Sequence, residues 1–469
     1  QDEYKTYVIP LLFFKRISDT YDEETALAEE EYGEDVVDFD EDELHTFMIP
    51  NGCHWEDVRM TSENVGVAIV NSMISIERAN PDTLGGLFTS FDDANWTDKN
   101  KLSDSRLKDL VEHMSKIKVG NQNYSADVMG DAYEYLIKKF ADLSKKNAGE
   151  FYTPRTIVKL LVNILDPKAK ETVYDPACGS GSLLLKFAKI LGKENVRDGF
   201  YGQEINLTTY NLCRINMFLH DIGFDKFDIA CDDTLLSPQH WDDEPFEAIV
   251  SNPPYSIKWD GDKNPLLIND PRFSPAGVLA PSSKADLAFI MHSLHWLAAD
   301  GTAAIVCFPG VMYRGGAEQK IRKYLIDNNY VDSIIQLPDN LFFGTSIATC
   351  IMVLKKNKKD NNVLFIDASQ ECEKVTNNNK LRDHHIERVM QLYTDRQEVE
   401  HAVALVSNTT IGEEQNYTLS VSTYVEKEDT TEKVDIVELN ARLQEIVKKE
   451  NQLRAEIDEI IKEIEGLQL

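Results

Sequence analysis

The chain has 469 residues, which is more than one typical hydrophobic core supports and predicts roughly two or three domains. Hydrophobic residues make up 42% of the chain and charged residues 28%, as in soluble globular proteins, and no apolar run is long enough to cross a membrane. The net charge of −31 argues against a protein that binds DNA without a partner, because neutralising phosphate groups requires a basic surface.

The first part of the chain, residues 1–145, is predicted to be a helical N-terminal domain. A helical pattern begins at residues 4–17, and a second set of apolar residues recurs at helical spacing further along. That set is Val128, Ala132, Tyr135, Leu136 and Phe140. Residues 19–43 carry fourteen Asp or Glu and no Lys or Arg, which is typical of a solvated or disordered surface loop.

Basic residues are concentrated in two regions. They are Lys138, Lys139, Lys145, Lys146 and Arg155 in the first, and Arg314, Lys320, Arg322 and Lys323 in the second. We therefore expect any contact with nucleic acid to use a restricted basic face, with help from another subunit.

From residue 146 to residue 400 the sequence predicts an α/β domain with a Rossmann-like, doubly wound sheet. Short β-branched runs alternate with helical stretches, which indicates parallel βαβ units. The predicted strands are residues 172–174, 200–205, 227–230, 246–250, 303–308, 331–337, 348–354 and 363–366. Ligands of such sheets bind at the carboxyl ends of the strands, near the point where the strand order reverses.

A candidate cofactor loop directly follows the first predicted strand. Its candidate binding residues are Asp175, Pro176, Ala177, Gly179, Ser180, Gly181 and Ser182. The two glycines allow a tight turn and the close approach of a ligand. The GxG spacing is shorter than the dinucleotide fingerprint GxGxxG, and the chain has no GxxxxGK[ST], which disfavours NAD and ATP.

Two acidic positions at later strand ends complete this candidate site. Glu204 ends the second predicted strand, where a carboxylate can grip a ribose diol. Asp233 follows the third predicted strand, where it can accept a hydrogen bond from an adenine amino group. By themselves, a GxG and two strand-end acids are equally compatible with ordinary turn residues.

The second motif, Asn252-Pro253-Pro254-Tyr255, follows the predicted strand at residues 246–250. The Asn252 side-chain oxygen and the Pro253 carbonyl can both accept from one –NH₂ group, which frees the nitrogen lone pair for attack on a sulfonium methyl. The prolines rigidify the turn and add no N–H donor, and Tyr255 offers a flat face for stacking a base turned out of a duplex. These residues predict catalysis by positioning and electrostatics, with no metal.

Taken in order, these motifs closely resemble the modification subunit of type I restriction-modification systems, an N6-adenine DNA methyltransferase family. The segment at residues 149–155 resembles the family motif that helps hold the methionine end of the cofactor. Its candidate contacts are Glu150, Phe151, Tyr152, Thr153 and Pro154. The resemblance implies S-adenosyl-L-methionine as cofactor, with Glu204 at the ribose, Ile205 as a further cofactor contact and Asn252 to Tyr255 as the catalytic tetrad.

The same resemblance extends to other segments. Residues 286–289 and 342–346 are similar to family segments. Phe343 is expected to form part of the pocket around the target base. Where the family tends to have Gly-Asp-Thr-Leu, this chain has Asp232-Asp233-Thr234-Leu235. The resemblance therefore leaves open which of the two acids contacts the cofactor.

Residues 401–469 are predicted to be a C-terminal tail with a heptad helix at residues 432–468. Its apolar positions are Ile436, Leu439, Leu443, Ile446, Leu453, Ile457, Ile460, Ile464 and Leu467, interrupted by Glu450. Such a seam favours a partner helix, although heptads also serve packing within one chain. The resemblance implies a separate DNA specificity (S) subunit as that partner. It also implies double-stranded DNA, a second methylation subunit and, in some assemblies, a restriction/translocase (R) subunit as partners, and no membrane.

Alternative functions stay open at this point. NPPY-type loops also serve methyltransferases that act on glutamine amides of proteins or guanine amines of RNA, and the same cradle suits the N4 amine of cytosine. A catalytically idle scaffold is a third alternative, which the intact Gly179, Gly181, Asn252 and Tyr255 disfavour. The seven scattered cysteines, without a CxxC pair, indicate reduced thiols in a cytoplasmic protein rather than a zinc site or disulfides.

Overall fold

The structure, a computed structural model, describes residues 4–33, 44–91, 95–143, 153–168, 171–192, 199–342, 346–375, 378–427 and 436–466. Contacts within the chain divide it into two units, Gln1–Glu426 and Lys427–Leu469. In the described residues, each helix is too short or too polar to span a lipid bilayer.

The N-terminal part of the first unit is helical, as predicted. Its helices are α1 (Tyr4–Tyr32), α2 (Trp55–Met60), α3 (Val65–Ala79), α4 (Pro81–Leu84), α5 (Asp104–Ser115) and α6 (Ala126–Leu143). They surround one hydrophobic core that includes Phe13, Phe14, Trp55, Ile69 and Leu107. Burial of such aromatic and aliphatic side chains is the main stabilising contribution of a helical domain.

The acidic run is partly structural, which corrects the prediction of a surface loop. Helix α1 continues through it to Tyr32. Asp19 is buried and accepts hydrogen bonds from the Lys15 ammonium at 2.6 Å and from the Val119 backbone N–H at 2.7 Å. A buried carboxylate is retained when it is paired in this way. Residues 34–43 lie outside the described residues.

The helix predicted near residues 124–140 is confirmed as α6, but its predicted apolar face is wrong. Val128 is 50% exposed and Tyr135 is 56% exposed. The buried face instead carries Met129, Tyr133 and Ile137, which are also four residues apart. Both sets have helical spacing, so the neighbouring elements decide which set is buried.

The strands are β1 (Val173–Asp175), β2 (Phe200–Glu204), β3 (Phe227–Cys231), β4 (Phe246–Ser251), β5 (Leu297–Cys307), β6 (Val331–Gln336), β7 (Cys350–Lys355), β8 (Asn362–Asp367), β9 (Glu373–Val375), β10 (Asn378–Lys380) and β11 (Val403–Ser407). In the described residues, nine strands form one sheet in the order β3-β2-β1-β4-β5-β7-β6-β8-β11. Strand β1 lies parallel to both β2 and β4, so the strand order reverses between β1 and β4. This arrangement confirms the predicted α/β fold class.

Three observations refine the prediction for the sheet. Strand β7 runs antiparallel to β5 and β6, and β11 runs antiparallel to β8, so these pairings depart from the predicted parallel pattern. Strand β11 also lies beyond the predicted domain boundary at residue 400. Its pairing with β8 shows that the sheet extends into the segment predicted as the C-terminal tail.

Helices cover both faces of the sheet. They are α7 (Arg155–Leu165), α8 (Ser182–Leu191), α9 (Leu207–Leu219), α10 (Asp286–Trp296), α11 (Ala317–Asp327), α12 (Asp383–Asp395) and α13 (Asn408–Glu413). Helices α7, α8 and α12 share one core with the sheet, and α10, α11 and α13 share the other. Covering both faces in this way is typical of doubly wound sheets.

Helix α9 belongs to two cores. Cys213 and Met217 contribute to a core of the sheet, whereas Ile215 and Leu219 contribute to the core of the N-terminal helices. Arg214 adds hydrogen bonds to backbone carbonyls at the end of α4 and beyond it, at 2.7 and 3.0 Å. Most of α9 from Thr209 onward is buried, so this helix packs against both the sheet and the N-terminal helices.

The second unit contains helix α14 (Ile436–Gly466), which lies within the predicted range 432–468. Seven apolar positions of its predicted seam are between 50% and 66% exposed. They are Leu439, Leu443, Ile446, Leu453, Ile457, Ile460 and Ile464.

Candidate active site

The cofactor loop and the tetrad begin at neighbouring strand ends. Strand β1 ends at Asp175 and the parallel strand β4 ends at Ser251, directly before Asn252. The Ser251 hydroxyl donates to the Asp175 carboxylate at 2.9 Å. The two predicted motifs therefore lie side by side at the point where the strand order reverses, where ligands of such sheets bind.

The two glycines of the cofactor loop have different surroundings. Both have positive φ, +55° at Gly179 and +79° at Gly181. A Cβ on Gly181 would lie 2.7 Å from the Cys213 sulfur on α9, whereas a Cβ on Gly179 would meet nothing within 4 Å. Gly181 is thus required by packing against α9, and Gly179 borders open space in front of the loop. Helix α8 begins at Ser182, so its N-terminus faces the same loop.

Asp175 is fully buried beneath this loop. Its Oδ1 accepts from the Ala177 N–H at 3.0 Å and from Ser251, while its Oδ2 has no hydrogen-bond partner among the residues that the structure describes. Burial raises the pKa of Asp175 to about 7. A cationic group placed near Oδ2 would favour the ionised carboxylate.

Glu204 lies at the carboxyl end of β2, beside the same loop. Its Oε2 accepts from the Gly179 N–H at 3.2 Å and its Oε1 accepts from the Asn206 N–H at 2.8 Å. Burial raises the pKa of this carboxyl group as well. The next residue, Ile205, is 68% exposed. Glu204 therefore lies at the cofactor loop, and the apolar side chain of Ile205 beside it is exposed.

The two acids after β3 have different hydrogen bonds. Asp232 uses both oxygens, since Oδ1 accepts from the Asp233 N–H and Oδ2 accepts from Ser237 and Gln239 side chains. The bonds to Asp233 both fall on Oδ1, from the backbone of Leu235 and Leu236. The hydroxyl of Thr234 donates to the Pro176 carbonyl at 2.6 Å and so joins this turn to the cofactor loop.

The amide of Asn252 has a hydrogen-bond partner at each end. Its Nδ2 donates to the Thr153 hydroxyl at 3.1 Å, and its Oδ1 accepts from the Tyr255 hydroxyl at 2.5 Å. Burial raises the pKa of Tyr255 well above its ordinary value, so the phenol keeps the proton that it donates. Tyr255 is half-buried and packs against the sheet core.

Two further residues support the tetrad: Asp286, which lies in the family-like segment 286–289, and Arg272, which was not predicted. The Ser256 N–H donates to both carboxylate oxygens of Asp286 at 3.1 Å, which fixes the turn after Tyr255 to the start of α10. Arg272 is buried, pairs with Asp270 at 2.7 Å and donates to the Thr234 and Leu235 carbonyls. No periodicity marks Arg272, so only the fold reveals that it joins the segment after the tetrad to the turn that carries Asp233.

Several predicted residues lie outside the described residues, namely Glu150, Phe151, Tyr152 and Phe343. Thr153 and Pro154 are described and precede α7, and Thr153 lines a cavity together with Ser182 at the start of α8.

Two residues of the predicted basic regions are less available than expected, and Lys145 and Lys146 lie outside the described residues. Arg155 pairs with Glu134 at 2.6 Å and with Asp131 at 3.2 Å. Arg322 is buried and donates to the Tyr417 and Val311 carbonyls, so its place in a surface basic region is wrong.

Comparisons with known proteins agree with this arrangement. The N-6 DNA methylase family model matches residues 124–433, and the HsdM N-terminal domain model matches residues 1–114. The chain is 44% identical over 425 residues to the type I restriction enzyme MpnII methylase subunit of Mycoplasma pneumoniae, covering 87% of this chain and 78% of that relative. It is 29% identical over 495 residues to the MjaVII methylase subunit of Methanocaldococcus jannaschii, covering 99% and 81%.

A solved structure of similar sequence has the same fold. The type I restriction-modification methyltransferase subunit from Streptococcus thermophilus superposes with a TM-score of 0.79 at 33% identity, covering 90% of this chain and 95% of that one. The matches favour N6-adenine DNA methylation over the methylation of protein glutamine or RNA guanine. The chain therefore belongs to the N-6 DNA methylase family, as a methylase subunit of the type I restriction enzymes and an N6-adenine DNA methyltransferase.

Proposed function

We propose that the chain binds S-adenosyl-L-methionine at the cofactor loop and methylates N6 of an adenine that has been turned out of double-stranded DNA at Asn252. The observation that carries this proposal is the 2.9 Å hydrogen bond between Ser251 and Asp175, which holds the two motifs together at adjacent strand ends. A donor and an acceptor of a methyl group must meet within about 3–3.5 Å, and adjacent strand ends provide such proximity.

The residues of the loop fit this cofactor. Open space borders Gly179, and the unpartnered Oδ2 of the buried Asp175 suits a cationic ligand. In the proposed site, Thr153 and Pro154, with Glu150, Phe151 and Tyr152 before them, hold the methionine end. The loop residues Asp175 to Ser182 surround the centre of the ligand. The bound cofactor supplies an electrophilic methyl group.

The nucleoside end of the cofactor is assigned to the next strand ends. The carboxylate of Glu204 accepts the ribose hydroxyls, and Ile205 offers an apolar side chain beside it. We assign the adenine amino contact to Asp233 rather than Asp232. Both oxygens of Asp232 have protein partners, whereas the hydrogen bonds that Asp233 accepts all fall on its Oδ1.

The chemical step depends on the acceptors of the tetrad. Asn252 Oδ1 and the Pro253 carbonyl accept the two protons of the target amine and direct its lone pair toward the methyl group. Pro254 keeps the turn rigid without an N–H donor. The Tyr255 hydroxyl now occupies Asn252 Oδ1, so it withdraws when the target base enters, and its ring then stacks on that base. The amine loses its extra proton after the transfer, so no strongly shifted base is required.

Several features indicate that the chain functions within a larger complex. The chain has a net charge of −31, Arg155 is paired with acidic residues and Arg322 is buried. We therefore assign DNA recognition to a partner. We propose that this partner is an S subunit that binds the exposed seam of α14, together with a second methylation subunit and, in a complete system, an R subunit. All seven cysteines are free thiols, which supports a cytoplasmic location.

Methyl transfer to plasmid DNA tests the proposal directly. Radiolabelled S-adenosyl-L-methionine is incubated with plasmid, the chain alone or with its S subunit, and the methylated base is identified by chromatography. We expect N6-methyladenine only when the S subunit is present. The Asn252→Ala variant serves as the control and should lose transfer while its cofactor affinity stays within about twofold. Label on cytosine, or full activity of Asn252→Ala, contradicts the proposal.

A further inference from the structure

We infer that Thr153 is a positioning residue for the methyl transfer, because its hydroxyl holds the catalytic amide of Asn252 in orientation. The inference rests on the proposed function, since it assumes that Asn252 receives the target amine. Family resemblance assigns Thr153 to the cofactor alone, whereas the structure places its hydroxyl 3.1 Å from Asn252 Nδ2.

Orientation matters because the two ends of an amide have opposite chemistry. The oxygen accepts hydrogen bonds and the nitrogen only donates them, although the two ends have nearly the same shape. An adenine amino group is itself a donor. If the Asn252 amide turned over, its –NH₂ would meet the –NH₂ of the base and the acceptor would be lost. While the Thr153 hydroxyl accepts from the nitrogen end, it fixes the position of the amide and leaves the oxygen directed at the substrate.

Tyr255 cannot perform this task during the reaction. Its hydroxyl occupies the oxygen that the target amine requires, at 2.5 Å, so it must leave before the base can bind. Once the base displaces this hydroxyl, Thr153 is the remaining hydrogen-bond partner of the amide among the residues that the structure describes.

Thr153 is attached to a rigid part of the fold. It lies two residues before α7, whose Ile157, Leu160 and Leu161 are fully buried in the sheet core. A functional group on such a segment is held in place better than one on a long loop. Thr153 also lines a cavity with Ser182 at the start of α8, while its hydroxyl contacts Asn252.

The test compares Thr153→Val, which keeps the shape and removes the hydroxyl, with Thr153→Ser, which restores the hydroxyl. Each variant is assayed in the complex with the S subunit for kcat, for KM toward DNA and for cofactor affinity by calorimetry. We expect Thr153→Val to lower kcat about tenfold, the usual effect of one neutral hydrogen bond. Because Thr153 is also assigned to the methionine end of the cofactor, kcat is measured at saturating cofactor, where its loss should persist whatever the change in affinity. Thr153→Ser should recover most of the rate.

The outcomes separate this inference from the proposed function. Full kcat in Thr153→Val, or a fall in cofactor affinity with kcat at saturation unchanged, overturns the positioning role. If Asn252→Ala also stays active, the proposed function has failed as well; if it is inactive, the positioning role alone has failed. Thr153→Ala gives the same comparison should the valine variant not fold, and the melting temperature of each variant reports folding.

Discussion

Asp175 is a residue whose charge depends on its surroundings, because burial raises its pKa from an ordinary 3.8 to about 7. A raised pKa in the folded chain means that ionisation opposes folding. The contribution of Asp175 to stability is therefore full below about pH 4 and is lost as the pH rises through about 7. Its partners Ser251 and Ala177 reduce this loss without removing it.

We predict that Asp175→Asn raises the melting temperature of the cofactor-free chain by a few degrees at pH 8, and that the gain shrinks toward pH 5. The asparagine has no charge to bury, so its advantage exists only where Asp175 would be ionised. Thermal unfolding at pH 5, 6, 7 and 8 measures the difference, with the exposed Asp242→Asn as a control. A gain that is the same at every pH would refute the assigned charge state.

At this scale, the sequence predicts the residues that stand at strand ends but not their contacts. Glu204 was predictable because it ends a strand, and Asn252 because it directly follows a buried strand, both at the edge where ligands bind. The hydrogen bonds from Asn252 to Thr153 and from Tyr255 to Asn252 were not predictable. They depend on side-chain rotamers and on segments that only the fold brings together.

Among the elements, the turn between β1 and α8 gives the sharpest prediction. Gly179→Ala and Gly181→Ala both place an L residue at positive φ, which costs roughly 1–2 kcal/mol. Only Gly181→Ala also forces a Cβ against Cys213 of α9, which adds about 1–3 kcal/mol of overpacking.

We therefore expect Gly181→Ala to lower the free energy of unfolding by about 2–5 kcal/mol in total, and Gly179→Ala by about 1–2 kcal/mol. Gly179→Ala should instead weaken cofactor binding, because its new methyl group projects into the open space in front of the loop. Urea titration and calorimetry measure the two quantities on each variant. Equal effects of the two substitutions on both quantities would contradict the separate roles.

Element types were more predictable than the faces and directions of the elements. Strong β-branched runs gave the strands, and helical spacing gave α6. The buried side of α6 depended on its neighbours, because Tyr133 donates to the Leu212 carbonyl of α9. The antiparallel direction of β7 follows from pairing between β5 and β6, which local sequence does not encode.

For the molecule as a whole, the exposed seam of α14 predicts where a partner binds. Truncation after Glu432 removes α14, and we expect it to release the S subunit. The first unit, Gln1–Glu426, is compact by itself and should keep its fold. Size-exclusion chromatography with the S subunit measures association, and circular dichroism checks the fold.

A milder variant gives the control for this truncation. Leu443→Asp with Ile457→Asp places charges on the seam, where both side chains are about half exposed, and should weaken the complex without shortening the chain. Lys448→Asp, at an exposed polar position of the same helix, should leave it intact. A complex that survives both the truncation and the double substitution would assign S-subunit binding to another surface.

The packing of α9 against two cores has a consequence for recombination between relatives. One face of its thirteen residues fits the sheet, with Cys213 against Gly181, and the other fits the N-terminal helices through Ile215 and Leu219. Exchange of the N-terminal helices between two such genes, with a crossover before residue 207, would join a helix bundle to an α9 shaped for a different one. Viable hybrids are therefore expected to inherit α9 together with the helices that pack on it.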